Sequence, residues 1–190
     1  MRLKKWTAAL CLVALAATAP QAFREKSPDE ERAKIQEMRG ATLNDLYNLR
    51  PAARDLIKGA EGYAVFSTKG MKIIVAGGTE GRGILVDQKT GQKTYMRMAQ
   101  LNVGLGYGLQ DARLVFVFQD RKALEGFATQ GWDFSGKADL AASAQGEGGS
   151  LAGAVSFLPG VLVYQFTKNG LAASITLQGT KFWAYQKLNS

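Results

Sequence analysis

Histidine is absent from all 190 residues and cysteine occurs once, at Cys11. If the first segment is removed, as argued below, the remainder has neither, which excludes disulfides, thiol and imidazole catalysis and the common soft-metal sites. No apolar run reaches the ~20 residues a spanning helix needs. Long blocks of like charge and internal repeats are also missing, and the connection from Gly136 to Gly160 is glycine- and alanine-rich, with Gln145–Ser150 expected as a mobile loop. The length favours one domain with room for a real core.

The first segment has the three parts of a secretory signal peptide. Arg2, Lys4 and Lys5 precede an apolar run from Trp6 to Ala19, and Glu25 is the first acidic residue. We expect residues 1–22 to be a signal, with cuts after Ala16, Ala19 or Ala22 as alternatives, and the protein to be periplasmic or secreted. Leu10 before Cys11 argues against a lipoprotein. Of the formal charge of +8, three positive charges lie in this segment, which leaves +5. In an exported protein a modest basic excess points to anionic head groups or envelope polymers, not to nucleic acid.

From Ser27 the chain reads as helix: Ser27 caps, Pro28 opens, and Glu30 closes a capping box. Gly40 is expected to interrupt the helix and Thr42 to cap a second segment. Arg50-Pro51 ends that region, and a short helix follows that Gly59 stops. Residues 23–49 thus form a helical extension and 50–190 the main domain. After Glu61 the texture is β: Tyr63–Ser67, Met71–Ala76, Gly83–Asp87, Thr94–Met98, Leu101–Gln110 and Arg113–Phe118. Asp120 caps one inserted helix, Arg121–Gln130, with Ala123, Leu124, Phe127 and Ala128 as its buried stripe and Gly131 as its stop. The fold expected is α+β, with N-terminal helices followed by a curved, largely antiparallel sheet or partly closed barrel.

The best-specified piece is the hairpin between Val161 and Trp183. A type I′ loop at Asn169-Gly170 would pair Lys168 with Leu171, Phe166 with Ala173, Tyr164 with Ile175 and Leu162 with Leu177, giving one apolar face.

Several motifs have a structural and a chemical reading. Gly104, Gly106 and Gly108 alternate with apolar residues, which suits a strand approached closely by another element better than a phosphate cradle. The stretch Gly77–Gly83 reads as a hairpin tip exposing Arg82, or as an anion nest. Asp133 with Asp139, Ser67 with Lys69, and Thr180 with Lys181 lack the third group a catalytic set needs, so no enzymatic activity and no cofactor are expected. Lysines and arginines recur beside aromatics, a composition suited to a lipid interface. The candidate lipid-binding residues are Lys69, Lys72, Arg97, Lys168, Lys181 and Trp183.

Ala60-Glu61-Gly62-Tyr63-Ala64-Val65-Phe66, the glycine-alternating Gly104–Gln110, the helix with Ala123-Leu124 and Phe127, and Val163-Tyr164-Gln165 through Lys168-Asn169-Gly170-Leu171 to Leu177-Gln178-Gly179-Thr180 occur in this order. Together they resemble the SYLF lipid-binding domain. The resemblance implies a non-enzymatic protein that binds anionic phospholipid or a membrane surface, with an amphipathic helix before the domain, the place Ser27–Leu49 occupies. Some eukaryotic relatives bind phosphoinositides, and some yeast relatives bind actin. A structural or protein-binding module of the bacterial envelope, with an envelope protein as partner, is the alternative. A small outer-membrane barrel is opposed by the helical first third.

Overall fold

The computed structural model describes residues 27–68, 73–74, 78–101, 112–135, 153–167, 170–171, 177 and 179–190. Helix α1 spans Pro28–Leu49, and the capping box forms as expected: the Ser27 hydroxyl accepts from the Glu30 amide and the Glu30 carboxylate accepts from the Ser27 amide. The expected break at Gly40 does not occur. Ile35, Leu43 and Leu46 are buried on the sheet, and burying that stripe outweighs the ~1 kcal/mol cost of an interior glycine. Thr42 does not cap a second helix; its hydroxyl donates to the Met38 sulfur one turn back. Arg50 ends α1, and α2 runs from Ala53 to Lys58 with Gly59 at its C-cap.

The strands are β1 (Gly62–Ser67), β2 (Ile73–Ile74), β3 (Gly78–Asp87), β4 (Lys93–Leu101), β5 (Arg113–Phe118), β6 (Trp132–Asp133), β7 (Val155–Leu158), β8 (Val161–Thr167), β9 (Gly170–Leu171) and β10 (Thr180–Ala184). Helix α3 (Arg121–Gln130) lies between β5 and β6, and α4 (Gln186–Asn189) follows β10. The strand order is β6-β10-β4-β3-β1-β5-β8-β7, with β2 added to β3 and β9 to β8. The pairings among the described strands are antiparallel. The sheet curls into a half-barrel whose ends approach one another. Trp132, in β6 at one end, has its ring centroid 6.4 Å from that of Phe157, in β7 at the other.

The inner face holds an aromatic core of Phe66, Phe116, Phe118, Phe157 and Phe182, which α3 covers with Leu124 and Phe127. On the outer face α1 and α2 pack Leu43, Leu46, Ala53 and Ile57 onto Val65, Val115, Val117 and Tyr164. Further along α1, Ile35 meets Ile84, Val86 and Leu188. Burial holds the Tyr164 hydroxyl un-ionised, raising its pKa to about 12.

Two expectations about strands are corrected. The glycine stretch is strand rather than hairpin tip: β3 begins at Gly78, and glycine is required at Gly83 because a Cβ there would stand 2.2 Å from the Phe66 ring. The hairpin register also differs. Phe166 pairs with Leu171 and Thr167 with Gly170, two residues away from the expected alignment. A shift of two preserves the side-chain faces, and it sets Leu171 against the outer cluster containing Phe166. Leu162 instead takes Val117 of β5 and Ser156 of β7 as partners. Leu177 joins the inner core, on the opposite side of the sheet from Leu162, and Thr180–Ala184 pairs with β4. Ala173, Ile175, the strand at Gly104–Gly108 and the loop expected at 145–150 lie outside the described residues.

Candidate functional site

Strand alternation sets Glu80, Arg82, Ile84 and Val86 of β3 on the outer face. Helix α1 covers the Ile84 and Val86 end. Beyond it, register places Arg82 directly opposite Arg97 of β4, and Arg97 opposite Trp183 of β10. One row further, Glu80 and Lys181 both face Ala99, and Lys181 also faces Asp133 of β6. Three of the six residues nominated from the sequence, Arg97, Lys181 and Trp183, therefore share one face of two adjoining strands. Lys69, Lys72 and Lys168 lie outside the described residues.

Like charges directly opposite each other destabilise a sheet, and here each arginine has its own carboxylate. Arg82 pairs with Glu31 of α1 at 2.7 Å, and Arg97 pairs with Glu80. Glu31 is only 5% exposed, unlike its exposed neighbours Asp29 and Glu30. The Arg97 guanidinium also lies over Tyr185 and Trp183, 4.9 and 5.9 Å from their ring centroids. Tyr185 is placed by α4, which is fastened to β4: the Tyr95 amide donates to the Asn189 side chain, and both Asn189 Nδ2 and the Tyr185 amide donate to the Tyr95 carbonyl. Lys181 reaches Asp133 at 2.9 Å. The Ser135 hydroxyl, and after it the Lys181 ammonium, hold the Asp133 carboxyl well below the usual range, so it stays ionised.

Three cations and three carboxylates balance across this face. The arginines are nevertheless not saturated: each remains about a third exposed, and each keeps an Nε–H shielded from water with no acceptor. Sequence reading had Arg82 at a hairpin tip or in an anion nest, and it missed Glu80 because β3 was expected to begin at Gly83. Glu31 and Tyr185 were missed because they join the face only through the docking of α1 and α4. The period-two series Glu80, Arg82, Ile84, Val86 was the available signal.

Of the other nominated pairs, Lys69 and Asp139 lie outside the described residues, and Thr180 with Lys181 is not assembled. Thr180 points into the core and Lys181 to the outer face, as successive strand residues must, so they form no nucleophile and base pair. Phe182 is likewise core. The apolar stripe of α1, expected to offer an amphipathic membrane helix, is already buried on the sheet. No described helix is long and apolar enough to cross a membrane, and among the described residues no acidic cluster could hold a metal ion. A cleft of about 590 Å³ opens between α3, α4 and the β3–β4 turn, floored by Leu85, Leu124 and Ala128. On its rim Arg121 binds Asp87 and Glu125, and the guanidinium holds the Asp87 carboxyl well below its ordinary value.

Comparison with known proteins places these observations. Over 158 residues, 83% of the chain, the sequence is 30% identical to the protein named Beta cell expansion factor A of Aeromonas veronii. The aligned part amounts to 59% of that protein's length. Residues 99–190 match the Ysc84 family, described as Las17-binding protein actin regulator. That match takes in Lys181 and Trp183 and begins two residues after Arg97. Over residues 99–190 the chain is thus similar to the Ysc84 family, the family of the SYLF domain.

Proposed function

We propose that this chain is an exported, non-enzymatic protein that associates with anionic phospholipid head groups through the outer face of β3, β4 and β10. The observation that carries this reading is the meeting of Arg97 of β4 with Lys181 and Trp183 of β10, 84 positions away at the nearest, on one solvent-facing patch. A tryptophan flanked by cations suits the head-group layer, where the ring sits at the interface and each cation contributes about 1 kcal/mol beside phosphate. Lys69, Lys72 and Lys168 extend the same reading along the sequence. Export rests on the three-part leader, and the absence of histidine and of any cysteine beyond that leader supports a binding role.

A protein partner in the envelope is the second reading. Its specific support is the balance of charge on the patch, since paired cations and carboxylates with aromatics between them also suit a polar protein surface. The family's description names a protein, Las17, as what it binds.

Sedimentation with vesicles separates the two. The chain is expected to pellet with mixed phosphatidylglycerol and phosphatidylcholine vesicles at low ionic strength, and to be released as salt shortens the Debye length from ~10 Å at 0.1 M to ~3 Å at 1 M. It should stay in solution with phosphatidylcholine alone. Failure to pellet with the anionic vesicles at low salt overturns the reading, and lipid-free capture of one defined envelope protein would then favour the second.

A further inference from the structure

The two arginines of the patch are occupied by carboxylates of the chain itself, and a carboxylate is the nearest internal mimic of a phosphate oxygen. We infer that Glu31 and Glu80 are built-in competitors for the anion site at Arg82 and Arg97, and that filling this site unlatches the first turns of α1. The inference rests on the reading above for the identity of the face. It adds how that face is held closed.

Glu31 stands in the first turn of α1 and is nearly excluded from solvent, with its carboxylate 2.7 Å from Arg82 Nη1. A buried carboxylate persists only while its countercharge remains. An external phosphate on Arg82 would leave Glu31 buried and unpaired, so the anion and the docked carboxylate exclude one another. Glu31 then gains water by leaving the sheet, and it takes the helix start with it. The neighbouring contacts of this end are polar and exchangeable. Arg32 donates to the Leu188 and Ser190 carbonyls, and Gln36 donates to the Tyr95 hydroxyl. From Ile35 onward the helix is held by apolar burial, so release stops before it, and the amides up to Gln36 are affected because they donate to carbonyls of the freed turn. Glu80 competes for Arg97 from within the sheet, and the cation–π contacts with Tyr185 and Trp183 hold the guanidinium in place when that carboxylate is exchanged. The ligand chemistry is a phosphate group bearing oxygens that accept from the two Nε–H donors left without partners.

The test compares the native chain with Glu80→Gln and Glu31→Gln, using phosphatidylglycerol vesicles and, separately, inorganic phosphate. Each substitution removes one competing charge while keeping shape, so each is expected to tighten vesicle binding about fivefold, the effect of one charge near the surface. In the native chain, vesicles are expected to speed hydrogen exchange at the amides of residues 32–36 and to leave those of 43–46 unchanged. Native vesicle binding that is unaltered or weakened in both variants overturns the latch and leaves the membrane reading standing. Tighter binding of inorganic phosphate by the variants, with no vesicle binding by any of them, supports the latch and removes the membrane. If neither probe binds, both fall. Glu80→Gln keeps the test sound should Glu31→Gln loosen the fold.

Discussion

Replacing Phe116 by alanine is expected to lower the free energy of unfolding by about 3–5 kcal/mol, the range for deleting a buried aromatic. Phe116 sits in β5, sixth of the eight strands along the sheet, with no exposure. Its ring centroid lies 5.3 Å from Phe182, 5.7 Å from Phe127 and from Trp132, and 5.9 Å from Phe66. Those partners come from β10, α3, β6 and β1, so a single ring joins the inserted helix to strands at both the centre and one end of the sheet. The cavity would be lined by the edges of other rigid rings, which collapse poorly into a void. Urea denaturation measures the loss. A change below about 1 kcal/mol would mean that the inner face repacks freely and that the sheet does not depend on this cluster for its curl.

The second large effect concerns the patch. Reversing Arg97 and Lys181 to glutamate removes two cations and installs two anions, at about 1 kcal/mol per charge near an anionic surface. The double variant should therefore bind phosphatidylglycerol vesicles at least about a hundredfold more weakly. Because both residues are ion-paired in the native chain, the variant also sets like charges beside Glu80 and Asp133. The exposed Lys181–Asp133 pair contributes only about 0–1 kcal/mol, and Arg97 and Glu80, each about a third exposed, contribute more. The variant is therefore expected to lose some stability while its circular dichroism spectrum stays native. Sedimentation equal to that of the native chain would remove this face from the lipid reading.

Local chemistry is where sequence and structure agree most closely. The capping box at Ser27, the strand Arg113–Phe118 and the helix from its Asp120 cap to its Gly131 stop all rest on residues within one or two turns of each other. Gly131 has φ of +68°, and a Cβ there would meet the Phe182 carbonyl oxygen at 2.1 Å, so its role as a stop is fixed twice. What escaped depends on partners distant in sequence. The apolar alternation around Lys168-Asn169-Gly170 specifies which faces match, but registers two residues apart satisfy it equally, and Leu171 packing beside Phe166 decides between them. Likewise Thr180–Ala184 reads as the return arm of that hairpin until β4 provides a better edge. Gly40 looked like a break because intrinsic propensity was weighed without the surface that buries Ile35 and Leu46.

The same division holds for the site. Arg97, Lys181 and Trp183 could be nominated because basic and aromatic residues sit side by side in the sequence. Their sharing of one face, and the pairing of Arg82 with Glu31 across 51 positions, follow from register and from the docking of α1. The balance of charge on that face was invisible for the same reason, and it is what turns a simple basic patch into one that its own carboxylates hold closed.

The position of Trp183 at a bilayer tests the central claim most directly. With Trp6 and Trp132 replaced by phenylalanine, Trp183 is the remaining tryptophan of the chain, and its emission reports the polarity around the patch. Phosphatidylglycerol vesicles should shift that emission to shorter wavelength and expose it to quenching by brominated acyl chains near the head groups, and phosphatidylcholine vesicles should do neither. Emission unchanged by anionic vesicles that pellet the protein would show that the chain meets the membrane through another face, and would contradict the account.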